Sequence, residues 1–134
     1  MILVDTSVLI DFFKDTSTPH VYALDKIISN RLPFGINRYI FQEILQGSKN
    51  DKEYKLLKEY LESIPFYYLK KGNESFANAA LINMKCRKSG VTIRSTIDLL
   101  IAQTALENNL FILHNDQDFD NISKVINELK IYEY

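Results

Sequence analysis

Short apolar runs recur along this chain between longer segments of helical spacing, and that alternation is what most narrows its choice of fold. The runs are "ILV" (2–4), "PFGI" (33–36), "PFYYL" (65–69), "LFIL" (110–113) and "KIYEY" (130–134). Runs of this length are too short for helices and suit strands. The intervening spacing predicts helices over 8–13, 20–29, 38–47, 51–63, 73–90, 95–109 and 119–128. Asn37 is placed as an N-cap, Gly47 as a C-terminal stop, and the lysines of 51–63 fall on an outer face. Strands that alternate with helices are parallel, because each return to the same sheet edge needs a crossover. The expected fold is therefore α/β around a parallel sheet. In such sheets ligands bind beyond the carboxyl ends of the strands.

Length and composition set the frame for that site. The 134 residues suit one compact domain, and no repeat, low-complexity tract or Gly/Ser/Pro-rich linker divides them. A lone cysteine, Cys86, provides neither a disulfide framework nor a cysteine-rich zinc site and suits a reducing compartment. The opening "MILVDTSVLI" has no basic leader, carries Asp5 inside its apolar run and is too short to span a bilayer, so a cytoplasmic protein is expected. A formal charge of −1 exerts no global pull on nucleic acid. Binding to a polyanion would need a local basic patch or bound cations.

Carboxylates fall where the ligand rule points. Asp5 ends the first apolar run, and "LHNDQDFDNI" (113–122) sets Asp116, Asp118 and Asp120 directly behind the fourth. Asp98 lies in the first turn of a helix that is apolar on nearly every side, and Glu43 sits at the margin of the Ile40/Phe41/Ile44/Leu45 face. Singly, each has a bland reading. Asp5 can cap the first helix, Ser95 and Asp98 fit a capping box, Glu43 can be a solvated helix edge, and the 116–120 group an Asx-turn with its cap. Together they resist it, since two carboxylates about 4 Å apart repel by roughly 4 kcal/mol at an effective dielectric of ~20. A divalent cation is the expected remedy, and all-oxygen ligands suit Mg²⁺ or Mn²⁺ rather than zinc. His20 and His114 are too far apart in sequence to form a helical pair, and His114 reads as packed or hydrogen-bonded rather than as a ligand.

"ILVDTSVLIDFF", "EILQG" and "TIDLLIAQTALENNLFILHNDQDFDNI", in that order and over nearly the whole length, resemble the PIN-domain ribonucleases, in particular the VapC-type toxins of toxin–antitoxin pairs. The resemblance implies a PIN-like three-layer sandwich with a central parallel sheet, and an acid cluster that binds Mg²⁺ or Mn²⁺. Asp5, Glu43, Asp98 and Asp116 match the four acids in order, Asp118 matches a further acid before the phenylalanine, and Thr6 and Ser95 match hydroxyl positions near the site. Relatives often carry basic residues beside the last aspartates, where this chain has Asn115 and Gln117. It also implies a cognate antitoxin that pushes a basic side chain into the acidic pocket, and a homodimer.

The expected chemistry is hydrolysis of RNA phosphodiester bonds. Asp5, Asp98 and Asp116 would contact metal, Asp118 would complete a possible second metal site, and Glu43 would orient or deprotonate the attacking water. Lys85, Arg87, Lys88 and Arg94, with no acid among residues 84–94, offer a flank for the RNA, and Arg94 is the preferred phosphate contact. The same residues also read as a solvated helix end and loop. Two other classes compete. A silent PIN-like module that scaffolds RNA or protein would be marked by loss of a core acid, and none is lost. A phospho-acceptor receiver domain would carry adjacent acids near the first strand and a late lysine, and this chain has neither.

Overall fold

The computed structural model describes residues 1–134. In chain order the elements are β1 (Ile2–Val4), α1 (Thr6–Phe13), α2 (Pro19–Ser29), β2 (Phe34–Gly35), α3 (Arg38–Gln46), α4 (Asp51–Glu62), α5 (Asn73–Lys88), α6 (Thr96–Asn108), β3 (Phe111–Leu113), α7 (Gln117–Val125) and β4 (Lys130–Ile131). The four strands form one parallel sheet in the order β2-β1-β3-β4, flanked by the seven helices. Register is fixed at its centre, with Ile2, Leu3 and Val4 opposite Phe111, Ile112 and Leu113. Successive side chains of a strand point to opposite faces, and all three residues of β1 are buried. Helices must therefore cover both faces, which makes three layers.

Local signals explain most helix boundaries. Asp5, Thr18, Asn37, Asn50 and Asp116 each cap the helix that follows by accepting from a backbone N–H of its first turn. Helices α1 and α7 consequently begin at Thr6 and Gln117, each two residues before the expected start. At the other end α7 stops at Val125, where the expectation ran to 128. Ile126 leaves the helical region for extended backbone (φ −103°, ψ 93°), and a turn closed by Leu129 N–H donating to Ile126 O leads to β4.

One expected strand is not formed. Residues 65–69 meet the sheet only through an isolated parallel bridge between Ile36 and Phe66. Ile36 N–H donates to Pro65 O and Tyr67 N–H to Ile36 O, but pairing stops there. Beyond it the backbone turns to the end of α6, where Asn108 Nδ2 donates to Tyr68 O and Glu107 Oε1 accepts from Lys70 N–H. Side chains thus satisfy polar groups that a longer strand would have left to a ladder. The aromatic-rich run is an edge strap, with Phe66 edge-on to Phe41 and stacked on Tyr68.

Gly35 allows that strap to lie close. A Cβ there would collide with the Pro65 carbonyl oxygen and stand 2.7 Å from Tyr67 Cε2. Gly35→Ala is expected to destabilise the protein by about 1–3 kcal/mol, the usual cost of overpacking, as read from urea denaturation.

Candidate metal centre

Every strand-end acid is brought to the carboxyl edge of the sheet. Asp5 follows β1 directly and its N–H extends the central pairing by donating to Leu113 O (2.9 Å). Asp5 is 4% exposed, and its carboxylate accepts from Ser7 N–H (3.0 Å) and Ser7 Oγ (2.6 Å). The Ser7 hydroxyl in turn accepts from Asn115 N–H (2.9 Å), which ties the end of β1 to the acidic turn after β3. Glu43, half-buried on α3, accepts from Thr6 Oγ1 (2.8 Å). Asp116 caps α7, its Oδ1 accepting from Asp118 N–H (2.9 Å), so capping and site membership coincide in one side chain.

Asp98 behaves differently from a cap. Ser95 occupies the N-cap position of α6 but makes no side-chain cap bond, so the expected capping box is not formed. Asp98 is instead buried among acids. One carboxylate oxygen from each of Asp98, Asp116 and Asp118 lies within 4.8 Å of the others. Burial first, then the charges of Asp5, Asp116, Asp118 and Glu43, pushes the Asp98 carboxyl up to about 7. Burial also raises Asp5, against the opposing pull of its Ser7 hydrogen bonds.

Basic residues balance little of this charge. Arg94 Nη2 reaches Asp118 Oδ1 at 3.7 Å, yet its side chain is 76% exposed, and such a contact contributes little. Lys85, Arg87 and Lys88 are exposed in the last turn of α5, where cations complement the helix dipole, and form no ion pair with the cluster. Of the four residues read as an RNA flank, Arg94 alone touches an acid. His114 packs against Phe119 and is not among the clustered oxygens. Ser7 is the residue whose place at the site the sequence did not announce. Its signal, a hydroxyl two positions after the strand-end acid, is shared with any ordinary cap.

A buried, all-oxygen cluster at the carboxyl end of a parallel sheet defines a three-layer α/β protein with a centre suited to a hard divalent cation. A model of the PIN domain matches residues 2–125, and the chain belongs to that family. Similar to it is the VapC ribonuclease Mb1587 of Mycobacterium bovis, 30% identical over 128 residues that cover 95% of each chain. Among solved structures, VapBC2 from Rickettsia felis bound to a DNA fragment from its promoter aligns with a TM-score of 0.74 at 15% identity, covering 100% of this chain and 99% of that one. VapBC-1 from nontypeable Haemophilus influenzae aligns with a TM-score of 0.73 at 21% identity, over 99% and 98%. Both likenesses concern the fold.

The raised Asp98 carboxyl gives a signed prediction. A folded-state value above the unfolded 3.8 means that the native protein holds a proton the unfolded chain releases, so stability falls as pH rises from about 4 to about 7. Asp98→Asn removes that cost. In EDTA it should match the parent near pH 4 and exceed it at pH 8, the gap opening as pH passes through the raised Asp98 range. Denaturation curves of both proteins at the two pH values check this. A helix cap would lose stability at both.

Proposed function

We propose that this chain is a divalent-metal-dependent endoribonuclease, the toxin of a toxin–antitoxin pair, working as one PIN-type unit across residues 1–134. The observation that carries this is the convergence of Asp98, Asp116 and Asp118 on one point, with Asp5 and Glu43 beside them and a single weak cationic contact from Arg94. The donor set is all carboxylate, which fits Mg²⁺ with Mn²⁺ as a substitute. Asp5, Asp98, Asp116 and Asp118 would hold the ion or ions, directly or through water. A bound divalent ion acidifies water and stabilises the charge that grows on the phosphorane and leaving 3′-oxygens.

The chain's own groups do the rest. Thr6 Oγ1 holds one Glu43 oxygen, which leaves the other to orient the attacking water and take its proton. Thr6 thus reaches the substrate through Glu43. The Ser95 hydroxyl, free of any cap bond, is available to the RNA backbone. Exposed Arg94 swings between Asp118 and a substrate phosphate, while Lys85, Arg87 and Lys88 extend the basic flank along the end of α5. The acidic pocket also suits a basic side chain of an antitoxin protein, which would exclude metal and RNA together. Tyr54, Leu56 and Tyr60 on α4, with Tyr68 on the strap, expose the apolar surface for a homodimer. No helix is long and apolar enough to cross a membrane.

Purified protein is expected to cleave single-stranded RNA with Mg²⁺ or Mn²⁺ and to stop in excess EDTA. Glu43→Gln and Asp116→Asn should each lower the rate on the order of 100-fold or more. Cleavage that persists in EDTA would sink the metal reading.

Neutralising Arg94 together with Lys85, Arg87 and Lys88 should weaken RNA binding without unfolding the protein. The slope of log affinity against log salt should shrink by about one for each phosphate that these side chains no longer neutralise. Binding isotherms at several salt concentrations measure it, and an unchanged slope would make the patch plain solvated surface.

A further inference from the structure

His114 is not among the clustered side chains, yet it is tied directly to the acidic turn. Its side chain is 6% exposed and its ring packs on the fully buried Phe119, with centroids 5.2 Å apart. Asp116 N–H donates to His114 Nδ1 at 3.0 Å. An acceptor at Nδ1 places the ring proton of the neutral imidazole on Nε2. Nε2 faces Asp120 Oδ1 at 3.2 Å, out of line for a hydrogen bond but close enough for the carboxylate to favour a proton there. The chain of contacts runs from Asp120 through the ring to the Asp116 backbone, and from the Asp116 carboxylate to Asp118 N–H. Fixing the Asp116 amide fixes the peptide that leads into Asp116, and the Asp116 carboxylate in turn holds Asp118 N–H.

We propose that His114 is a positioning residue for the metal centre. Its Nδ1, by accepting from the Asp116 amide, holds the 114–118 turn in the conformation that aims Asp116 and Asp118 at a common cation. The acceptor atom does this work, whereas the body of the ring contributes packing. The inference rests on the metal reading above and adds to it a residue that touches neither substrate nor metal.

Acceptor and packing roles separate cleanly by substitution. In His114→Asn the amide Oδ1 stands where Nδ1 stood and keeps the acceptor, but the packing on Phe119 is lost. His114→Leu fills the space and removes the acceptor. Stability should therefore rank Leu above Asn, while metal affinity ranks Asn above Leu. Mn²⁺ binding, followed by the electron paramagnetic resonance of the free ion, should stay within ~3-fold of the parent for Asn and weaken ~10–100-fold for Leu, the usual range for a group that orients metal ligands. Leu binding Mn²⁺ as tightly as the parent, or Asn as weakly as Leu, would overturn the proposal. Long-range proton–nitrogen correlation spectra of the parent are independent of any variant's folding. They should show His114 protonated at Nε2 and bare at Nδ1, and a proton on Nδ1 overturns the proposal. Failure of the parent itself to take up Mn²⁺ defeats the metal reading instead, and the tautomer then still decides whether His114 organises the turn.

Discussion

Five carboxylates crowded at one end of a buried sheet set the terms for everything around them. Pairs about 4 Å apart cost several kcal/mol at a moderate effective dielectric, and here burial first, with the repulsion of the neighbouring acids added to it, pushes the Asp98 carboxyl up to about 7. Much of the neighbouring structure acts to lower that cost. The N-termini of α1, α6 and α7 converge on the cluster, since Asp5 and Asp116 are N-caps and Asp98 and Asp118 lie in first turns. Each N-terminus brings roughly half a positive charge. Ser7 adds two hydrogen bonds to Asp5 and Thr6 one to Glu43.

Capping and membership of the acid cluster compete as explanations of these residues, and for two of them both hold at once. Asp5 and Asp116 cap with one oxygen and leave the other to the site, because an N-cap in an α/β protein already lies at the carboxyl end of the preceding strand. Asp98 stands apart. It lies inside its helix, makes no cap bond and takes the largest share of the crowding, so its burial is explained by the site alone.

The alternation of short apolar runs with helical segments is enough to read the parallel sheet and all seven helices, and the strand-end acids are enough to read the cluster. Both follow from local periodicity and from the rule that places ligands at the carboxyl edge. Residues 65–69 mislead because aromatic and apolar content signals burial against a sheet edge as readily as pairing within it. What decides between them is the reach of Asn108 and Glu107 from the end of α6, about 40 residues away in sequence. The extra length expected of α7 misleads because Ile122, Ile126 and Leu129 keep helical spacing, while Ile126 in fact turns to extended backbone on the way to β4. The place of Ser7 is hidden, and His114, legible as packed or hydrogen-bonded, does not announce its partner, because Asn115 N–H and Asp116 N–H are backbone groups that carry no residue signature.

Charge balance also explains why the pocket stays accessible. An internal arginine packed among the acids would have settled the repulsion permanently, at the cost of a site closed to cations. Arg94 instead sits at the rim, long, exposed and 3.7 Å from Asp118, so it can leave with little loss to itself and uncover a buried carboxylate that has no other partner. The residual repulsion is a driving force for whatever cation arrives next. A divalent ion, a substrate phosphate that draws Arg94 outward, and a basic side chain of a protein partner all act on the same unsatisfied charge. One electrostatic deficit at the sheet edge thereby supports both the proposed catalysis and its inhibition.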